Sequence, residues 1–399
     1  SMNQLTDLTA VKKRVQSIDI LRGVVMIIMA LDHVRDFFHV DAFQGDPLNP
    51  ATTTPILYFT RWITHFCAPT FVFLAGTSAY LVGLRKSKAD LSSFLIKRGL
   101  WLIMIEVLLI TLALTFNPLY NAIILQVIWA IGISMVCLGL AVRLPYKVIF
   151  AIGALVVLGH NLLDYPEAAR NQDVPFIWDL LHNGRFDTYT YAPNRVLIIA
   201  YSFIPWMGIM FMGYCAGKLF EATVDSHKRK MTLLFIGAGL FTLFIALRLL
   251  NEYGNPFPWT PQHTTLASFF SFMNVQKYPP SLMYACATLG PALMVLALIE
   301  HVHNRFTDFA KVFGRVPFFY YVLHFYIIHI LTVIAFYIEG YGTKDIVGQT
   351  PFLFRPLQFG YPLWVVYIIW AALIIGLYPL CKWYNRYKAT HSQWWLSYL

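Results

Sequence analysis

Charged residues are scarce in this chain. Aspartate, glutamate, lysine and arginine make up only 13% of its 399 residues, whereas 58% are hydrophobic. Soluble domains carry about 25% charged residues, so this composition excludes an ordinary soluble protein and predicts one that is embedded in a lipid bilayer. The formal net charge is +10, but no polar domain is available to carry a nucleic-acid site. We therefore expect an all-α integral membrane protein with no nucleic-acid partner.

Several chemical signatures are also missing. The five cysteines lie in apolar segments without paired spacing, at Cys67, Cys137, Cys215, Cys286 and Cys381. This pattern indicates neither a disulfide framework nor a metal cluster, so we expect no metal. The chain has no H-E-x-x-H sequence, no glycine-rich phosphate loop and no serine nucleophile elbow. The usual zinc-protease, P-loop and serine-hydrolase signatures are thus absent.

Long apolar runs dominate what is present. A helix needs about 20 apolar residues to cross a bilayer, and we count about ten such runs. The predicted spans are 18–38, 56–84, 94–116, 121–143, 146–164, 195–219, 230–250, 280–300, 312–338 and 360–384. We interpret residues 18–388 as one transmembrane domain, between a cytoplasmic segment at 1–17 and a cytoplasmic tail at 389–399. No internal repeat is recognisable, which gives no support to an inverted-repeat transporter.

Positive charge alternates from one connection to the next. Lysine and arginine precede the first span at Lys12, Lys13 and Arg14, and they recur in alternate connections and after the last span. The intervening connections are acidic or neutral, as in the long segment 165–194. Because positively charged loops are retained in the cytoplasm, this alternation predicts an even number of spans with both termini inside.

The first predicted span carries an unusual row of polar side chains. Residues three or four apart form one face of this helix: Asp19, Arg22, Met26, Met29, His33 and Asp36. Arg22 and His33 lie about 16 Å apart along the helix axis. This spacing suits a long donor with an anionic head, whose phosphates bind Arg22 and whose reactive end meets His33. Asp36 could orient the imidazole, and Asp32, about 100° away, is a further catalytic candidate.

His65, in the second span, competes with His33 for the catalytic role. Its predicted depth in the membrane would allow it to meet His33, but a hydrogen-bonded structural histidine fits the sequence equally well. Ionisable side chains inside a bilayer are costly and commonly face a cavity or the bundle interior. Both histidines are therefore kept as catalytic candidates.

Three further cations are candidates for binding donor phosphates. Lys97 and Arg98 open the third span, and Arg315 lies near the start of the ninth. A helix N-terminus favours a bound anion, although anchoring by the positive-inside rule explains the same residues. We predict that Arg22, Lys97, Arg98 and Arg315 form the cofactor-binding site, in which they bind the phosphates of the donor.

Three residues are predicted to contact the substrate. Tyr321 and His324 share a face near the middle of the ninth span, where a buried hydrogen-bonded pair is the alternative interpretation. Lys277 lies near the end of the second long outer segment, 252–279, which could close a cavity from outside.

Four motifs together resemble a known family. They read SIDILRG at 17–23, ALDHVRDFF at 30–38, PTFVFLAGTS at 69–78, and GRVP through YVLH at 314–324. The chain resembles bacterial members of the heparan-α-glucosaminide N-acetyltransferase catalytic-domain family. The LRG and histidine spacing of the first span is also similar to that of the wider transmembrane acyltransferase superfamily, in which the histidine is regarded as catalytic.

The resemblance implies a transmembrane acyltransferase bundle of ten or eleven helices in a bacterial inner membrane. It also implies acetyl-CoA as a cytoplasmic acyl donor and an amino sugar or glycan as acceptor on the far side. The lysosomal relatives have asparagine where this chain has His33, and their proposed catalytic histidine lies in the first outer loop. His39 occupies that loop here at a different spacing. The catalytic assignment is therefore shared between His33 and His65, with His39 third.

Two other functions remain as rivals. A proton-coupled transporter of a small solute would also contain membrane-embedded aspartate and histidine, and a scaffold protein would need neither. A homodimer is an alternative to a monomer that the sequence leaves open.

Overall fold

The computed structural model describes residues 2–393 and Leu396, with side chains from residue 16 onward. The helices are α1 (Met2–Phe38), α2 (Pro55–Ile63), α3 (Cys67–Gly83), α4 (Lys88–Ile105), α5 (Thr111–Thr115), α6 (Val127–Ala141), α7 (Tyr146–Gly159), α8 (Asp164–Ala169), α9 (Phe176–Trp178), α10 (Ile204–Ala216), α11 (Ser226–Leu250), α12 (Thr265–Met273), α13 (Leu282–Ile299), α14 (Arg305–Arg315), α15 (Pro317–Ile338) and α16 (Leu363–Thr390). The strands are β1 (Ala122–Leu125), β2 (Asp187–Ala192) and β3 (Arg195–Ile199).

The mainly helical fold is confirmed, and several apolar helices indicate a multi-pass membrane protein. Seven helices of the described chain are long and apolar enough to cross a membrane: Pro55–Gly83, Lys88–Thr115, Tyr146–Ala169, Ser226–Leu250, Leu282–Ile299, Pro317–Ile338 and Leu363–Thr390. The total of ten spans and the orientation stay predictions. The side chains of residues 1–15, which include Lys12, Lys13 and Arg14, lie outside the description, as do residues 394, 395 and 397–399 of the predicted tail.

Two predicted spans do not begin as helices. The runs 121–143 and 195–219 start with β1 and β3, which pair in parallel, and β2 pairs antiparallel with β3. Both strands are rich in β-branched residues, which favour strands. A short apolar run cannot be assigned to helix or strand from periodicity alone. The prediction of an all-α protein is therefore corrected: the structure is a helical bundle that includes one three-stranded sheet.

The predicted span 312–338 is likewise divided. It comprises the end of α14 and all of α15, and Val316 between them has non-helical backbone angles, φ −130° and ψ 53°. Pro317 then begins α15. Proline has no N–H to donate, so it suits the first position of a helix and disfavours continuation of the preceding one.

The first helix lies at the centre of the bundle and contacts α3, α13, α14, α15 and α16. Its approach to α14 depends on two glycines. A Cβ at Gly23 would lie 1.7 Å from the carbonyl oxygen of Ala310, and one at Gly314 would lie 1.7 Å from that of Asp19. Small residues allow membrane helices to pack backbone to backbone, and here they bring the middle of α1 against the end of α14.

The C-terminal end of α1 is held by Arg355, which is 1% exposed. Its guanidinium donates to the carbonyl oxygens of His39 at 2.7 Å, Phe359 at 2.6 Å and Pro356 at 2.5 Å. Burial lowers the pKa of Arg355 to about 10. The loop before α16 is thereby attached to the C-terminal end of the helix that carries His33.

A buried carboxyl in the segment 165–194 gives a pH prediction. Asp179 is 2% exposed, and burial, reinforced by the negative charge of Asp187, raises its pKa to about 7. The stability that Asp179 contributes is present in full below the ordinary aspartate range, near pH 4, and is lost as pH rises through about 7. We expect Asp179→Asn to melt higher than the wild type by a margin that grows between about pH 5 and pH 8.

Melting temperatures across this pH range test the prediction. Asp173→Asn, which removes an exposed carboxylate from the same segment, is the matched control and should show a margin that does not grow. An unchanging margin for Asp179→Asn would contradict the prediction.

Candidate active site

Two adjoining cavities lie along α1. The basic chamber, of about 190 Å³, is lined by Arg22, Arg98, Arg315 and Lys388 among apolar side chains. The histidine chamber is lined by Asp32, His33, Gln126, Tyr201 and Lys277 among others. Phe71, Ile128 and Tyr321 line both chambers. Of the polar row on α1, Arg22 thus lines one cavity and Met26, Met29 and His33 line the other, and the two cavities share a wall.

Arg22 is fixed at the wall of the basic chamber. Its guanidinium donates to Ser78 Oγ at 2.7 Å and to the carbonyl oxygen of Gly314 at 3.1 Å, and it pairs with Asp19 at 3.4 Å. The other oxygen of Asp19 lies 3.6 Å from Arg315 Nε. One carboxylate therefore positions two of the four cations without neutralising the chamber.

The predicted cations do not all reach this chamber. Arg22, Arg98 and Arg315 line it, but Lys97 is exposed and is not among the lining residues. Adjacent residues on α4 point about 100° apart, and here Arg98 faces the cavity whereas Lys97 faces away from it. Lys388, near the end of α16, also lines the chamber, although its position after the last predicted span indicated only membrane topology. Lys388 is distant from Arg22 in the sequence, so no sequence pattern predicted that the two residues line one cavity.

The sheet brings two unpredicted residues to the histidine chamber. β1 and β3 end in register at Leu125 and Ile199, and the amide of Ala200 donates to the carbonyl of Leu125 at 3.0 Å. Since parallel strands end at the same edge of a sheet, Gln126 and Tyr201 follow together into the chamber wall. Neither residue belongs to a motif recognisable in the sequence.

His33 hydrogen-bonds a second imidazole. Its Nδ1 lies 2.8 Å from Nε2 of His324 on α15, and the ring of Phe325 packs 4.3 Å away, centroid to centroid. Asp36, predicted to orient the ring, instead receives Arg35 at 3.1 Å, and Asp32 receives the same guanidinium at 3.3 Å. A neighbouring cation satisfies both carboxylates, so the orienting partner comes from another helix.

His65 occupies a different setting. It is 1% exposed and packs edge-on against the rings of Trp62 and Tyr284. Its Nδ1 lies 3.4 Å from the guanidinium of Arg61, and its Nε2 has no hydrogen-bond partner within the described part of the chain. Unlike His33, it is absent from the lining of both chambers. His39 also lines neither chamber.

Of the three residues predicted to contact the substrate, Tyr321 and Lys277 line a chamber and His324 does not. Tyr321 lines both chambers, and its hydroxyl has no hydrogen-bond partner among the described residues. Lys277 is 8% exposed, with its ammonium 5.7 Å from the ring centroid of Tyr201 and 5.1 Å from that of Tyr278. His324 is fully buried behind His33 and lines neither chamber.

Comparison with known families supplies the classification. The family described as heparan-alpha-glucosaminide N-acetyltransferase, catalytic, matches residues 14–247, which is more than half of the chain. The chain belongs to this family. Family membership implies acyltransferase activity and indicates a membrane acetyltransferase. No curated protein matches the chain.

The family match includes Arg22, His33, His65 and Arg98 but ends before α14. The contributions of α15 and α16 to the site therefore rest on geometry alone. Among the side chains that the structure describes, no group of three or more histidine, cysteine, aspartate or glutamate residues could hold a metal ion.

Proposed function

We propose that the protein transfers an acetyl group from acetyl-CoA, bound at the cytoplasmic side, to an amino sugar or glycan on the opposite side of a bacterial inner membrane. The observation that carries the proposal is the pair of chambers. One is lined by four cations and the other by His33, and Tyr321 lines both. This arrangement fits a substrate with an anionic head and a long reactive arm.

The basic chamber is suited to the phosphates of the donor. Arginine guanidinium groups bind phosphate through paired, charge-assisted hydrogen bonds, and lysine adds a point charge. The helix geometry puts His33 about 16 Å beyond Arg22. A flexible acyl-carrying arm that passes Phe71, Ile128 and Tyr321 would bring the thioester to His33.

The reaction we propose is general-base acyl transfer. His33 Nε2 accepts a proton from the acceptor amine or hydroxyl as the acceptor atom bonds to the acetyl carbonyl carbon. The carbon–sulfur bond breaks, the electron pair remains on sulfur, and His33 returns the proton to the leaving thiolate. The Tyr321 hydroxyl, which lacks a partner among the described residues, would donate to the carbonyl oxygen as negative charge develops there.

The geometry favours His33 over His65 as the base. A general base must come within hydrogen-bond reach of the proton it removes, and His33 lines a chamber whereas His65 is enclosed by aromatic rings. Asp32 and Lys277 lie in the same chamber as His33 and would contact the acceptor. Isolation of an acetylated enzyme in the absence of acceptor would favour transient acetylation of His33 over direct transfer.

Binding of acetyl-CoA is the first test. Acetyl-CoA at 100 times its dissociation constant should stabilise the detergent-purified protein by about 2.7 kcal/mol, measured as a rise in melting temperature. Arg98→Gln should weaken binding because it removes one cation from the chamber wall. Lys97→Gln is the matched control, since it removes a charge from the exposed neighbour and should bind like the wild type. Equal losses in the two variants, or no shift in the wild type, would contradict donor binding in the basic chamber.

A further inference from the structure

The hydrogen bonds behind His33 decide which of its nitrogens carries the proton. We propose that His324 is a positioning residue that holds His33 in the tautomer with a bare Nε2 facing the chamber. This inference rests on the proposed function, because a defined lone pair matters only if His33 accepts a proton. It gives His324 a role different from the substrate contact that its sequence position predicted.

The orientation begins at the backbone of α15. His324 Nδ1 lies 3.2 Å from the carbonyl oxygen of Tyr320 and is also in contact with that of Tyr321. A carbonyl oxygen can only accept, so Nδ1 of His324 carries a hydrogen. A neutral imidazole has one N–H, and Nε2 of His324 therefore presents a lone pair.

The lone pair of His324 then fixes His33. Nδ1 of His33 lies 2.8 Å from His324 Nε2, so it must donate a hydrogen to that nitrogen. The opposite tautomer would place two lone pairs against each other at this distance. With its single hydrogen on Nδ1, neutral His33 has an unprotonated Nε2, to which no described residue hydrogen-bonds. This is the form that a general base requires.

The packing around His324 holds its ring in place. Its ring stacks on that of Tyr320, with centroids 5.2 Å apart and planes within 10°. The hydroxyl of Tyr320 donates to the carbonyl oxygen of Met26 at 2.7 Å, which ties α15 to α1 about two turns before His33. His324 is 0% exposed, so it acts through His33 and not on the substrate.

Replacing His324 tests the proposal through kinetics. His324→Leu should lower kcat by about 10- to 100-fold, by analogy with the loss when a group that orients a metal-binding imidazole is removed. The KM for acetyl-CoA should not change, because the basic chamber is untouched. His324→Gln should recover part of kcat, since its amide can accept from His33 and donate to the backbone carbonyl. An unchanged kcat in His324→Leu would overturn the proposal.

His329→Leu is the matched control. His329 lies on the same helix and is 0% exposed, and its Nδ1 and Nε2 lie 2.7 Å from the carbonyl oxygens of Ala113 and Leu353, respectively. It has no hydrogen bond to His33. If His329→Leu lowers kcat as much as His324→Leu while both retain acetyl-CoA binding, the effect is a general loss of packing and the positioning role is wrong.

The tautomer can be measured without activity. The chain has 12 histidines, so nitrogen-15 NMR spectra of histidine-labelled protein should be compared with those of His33→Ala to identify the His33 signals. We expect a protonated Nδ1 and an unprotonated Nε2 in the wild type, and loss of this preference in His324→Leu. A protonated Nε2 in the wild type would overturn the proposal even if His33 were essential. Conversely, the expected tautomer together with full activity of His33→Ala would refute the proposed base while leaving the hydrogen-bond assignment intact.

Discussion

Replacing His33 with glutamine is expected to lower kcat for acetyl transfer by about 10²- to 10⁴-fold, the contribution typical of a general base. Glutamine is similar in size and retains hydrogen-bonding groups, but it cannot accept a proton at neutral pH. The loss should appear in kcat, measured with labelled acetyl-CoA, while acetyl-CoA still raises the melting temperature. Donor binding should survive because the basic chamber lies toward the other end of the polar row on α1.

His65→Gln is the informative comparison. Both variants replace a histidine of the same bundle with the same residue, but only His33 lines a chamber. We expect His65→Gln to retain most of the transfer activity in protein that folds. If the pattern is reversed, so that His65→Gln is inactive and His33→Gln is active, the assignment of the base is wrong.

The second large effect is expected at the crossing of α1 and α14. Gly314→Ala would place a methyl group 1.7 Å from the carbonyl oxygen of Asp19, so the two helices must separate. Overpacking typically costs about 1–3 kcal/mol, and a clash with backbone cannot be relieved by a rotamer change. The separation would also break the hydrogen bond from Arg22 to the carbonyl of Gly314 and displace Arg315. We therefore expect a lower melting temperature and weaker acetyl-CoA binding together.

Gly376→Ala serves as the control for this substitution. Gly376 lies within α16, and a Cβ there would meet no atom within 4 Å. Alanine favours a helix over glycine by about 1 kcal/mol, so the control should keep or slightly raise stability and should bind acetyl-CoA normally. Normal binding by Gly314→Ala would show that this crossing does not position the cations of the basic chamber.

The sequence predicted the parts of the site that depend on one helix. Arg22 and His33 share a helix face, and the structure places them in adjoining chambers as their register required. The same reasoning could not identify His324 as the partner of His33. The spacing of residues along one helix does not show which side chains of other helices will form hydrogen bonds with them. Asp36 had the right separation from His33, but Arg35 takes its carboxylate.

Residues contributed by distant segments were harder to predict. Lys388 reaches the basic chamber only because α16 packs against α1. Gln126 and Tyr201 reach the histidine chamber through a parallel pairing of β1 and β3, two short apolar runs that were interpreted as the starts of helices. Their recognition requires knowledge of strand pairing, which local hydrophobic pattern does not supply.

The most direct test of the proposed activity uses purified protein in sealed liposomes. Labelled acetyl-CoA is added outside and glucosamine, the simplest amino-sugar probe, is enclosed inside. We predict that labelled N-acetylglucosamine accumulates inside vesicles with the wild-type protein and that His33→Gln abolishes it. Movement of unmodified glucosamine across the membrane, with acetyl-CoA left intact, would contradict acetyl transfer and support a transporter.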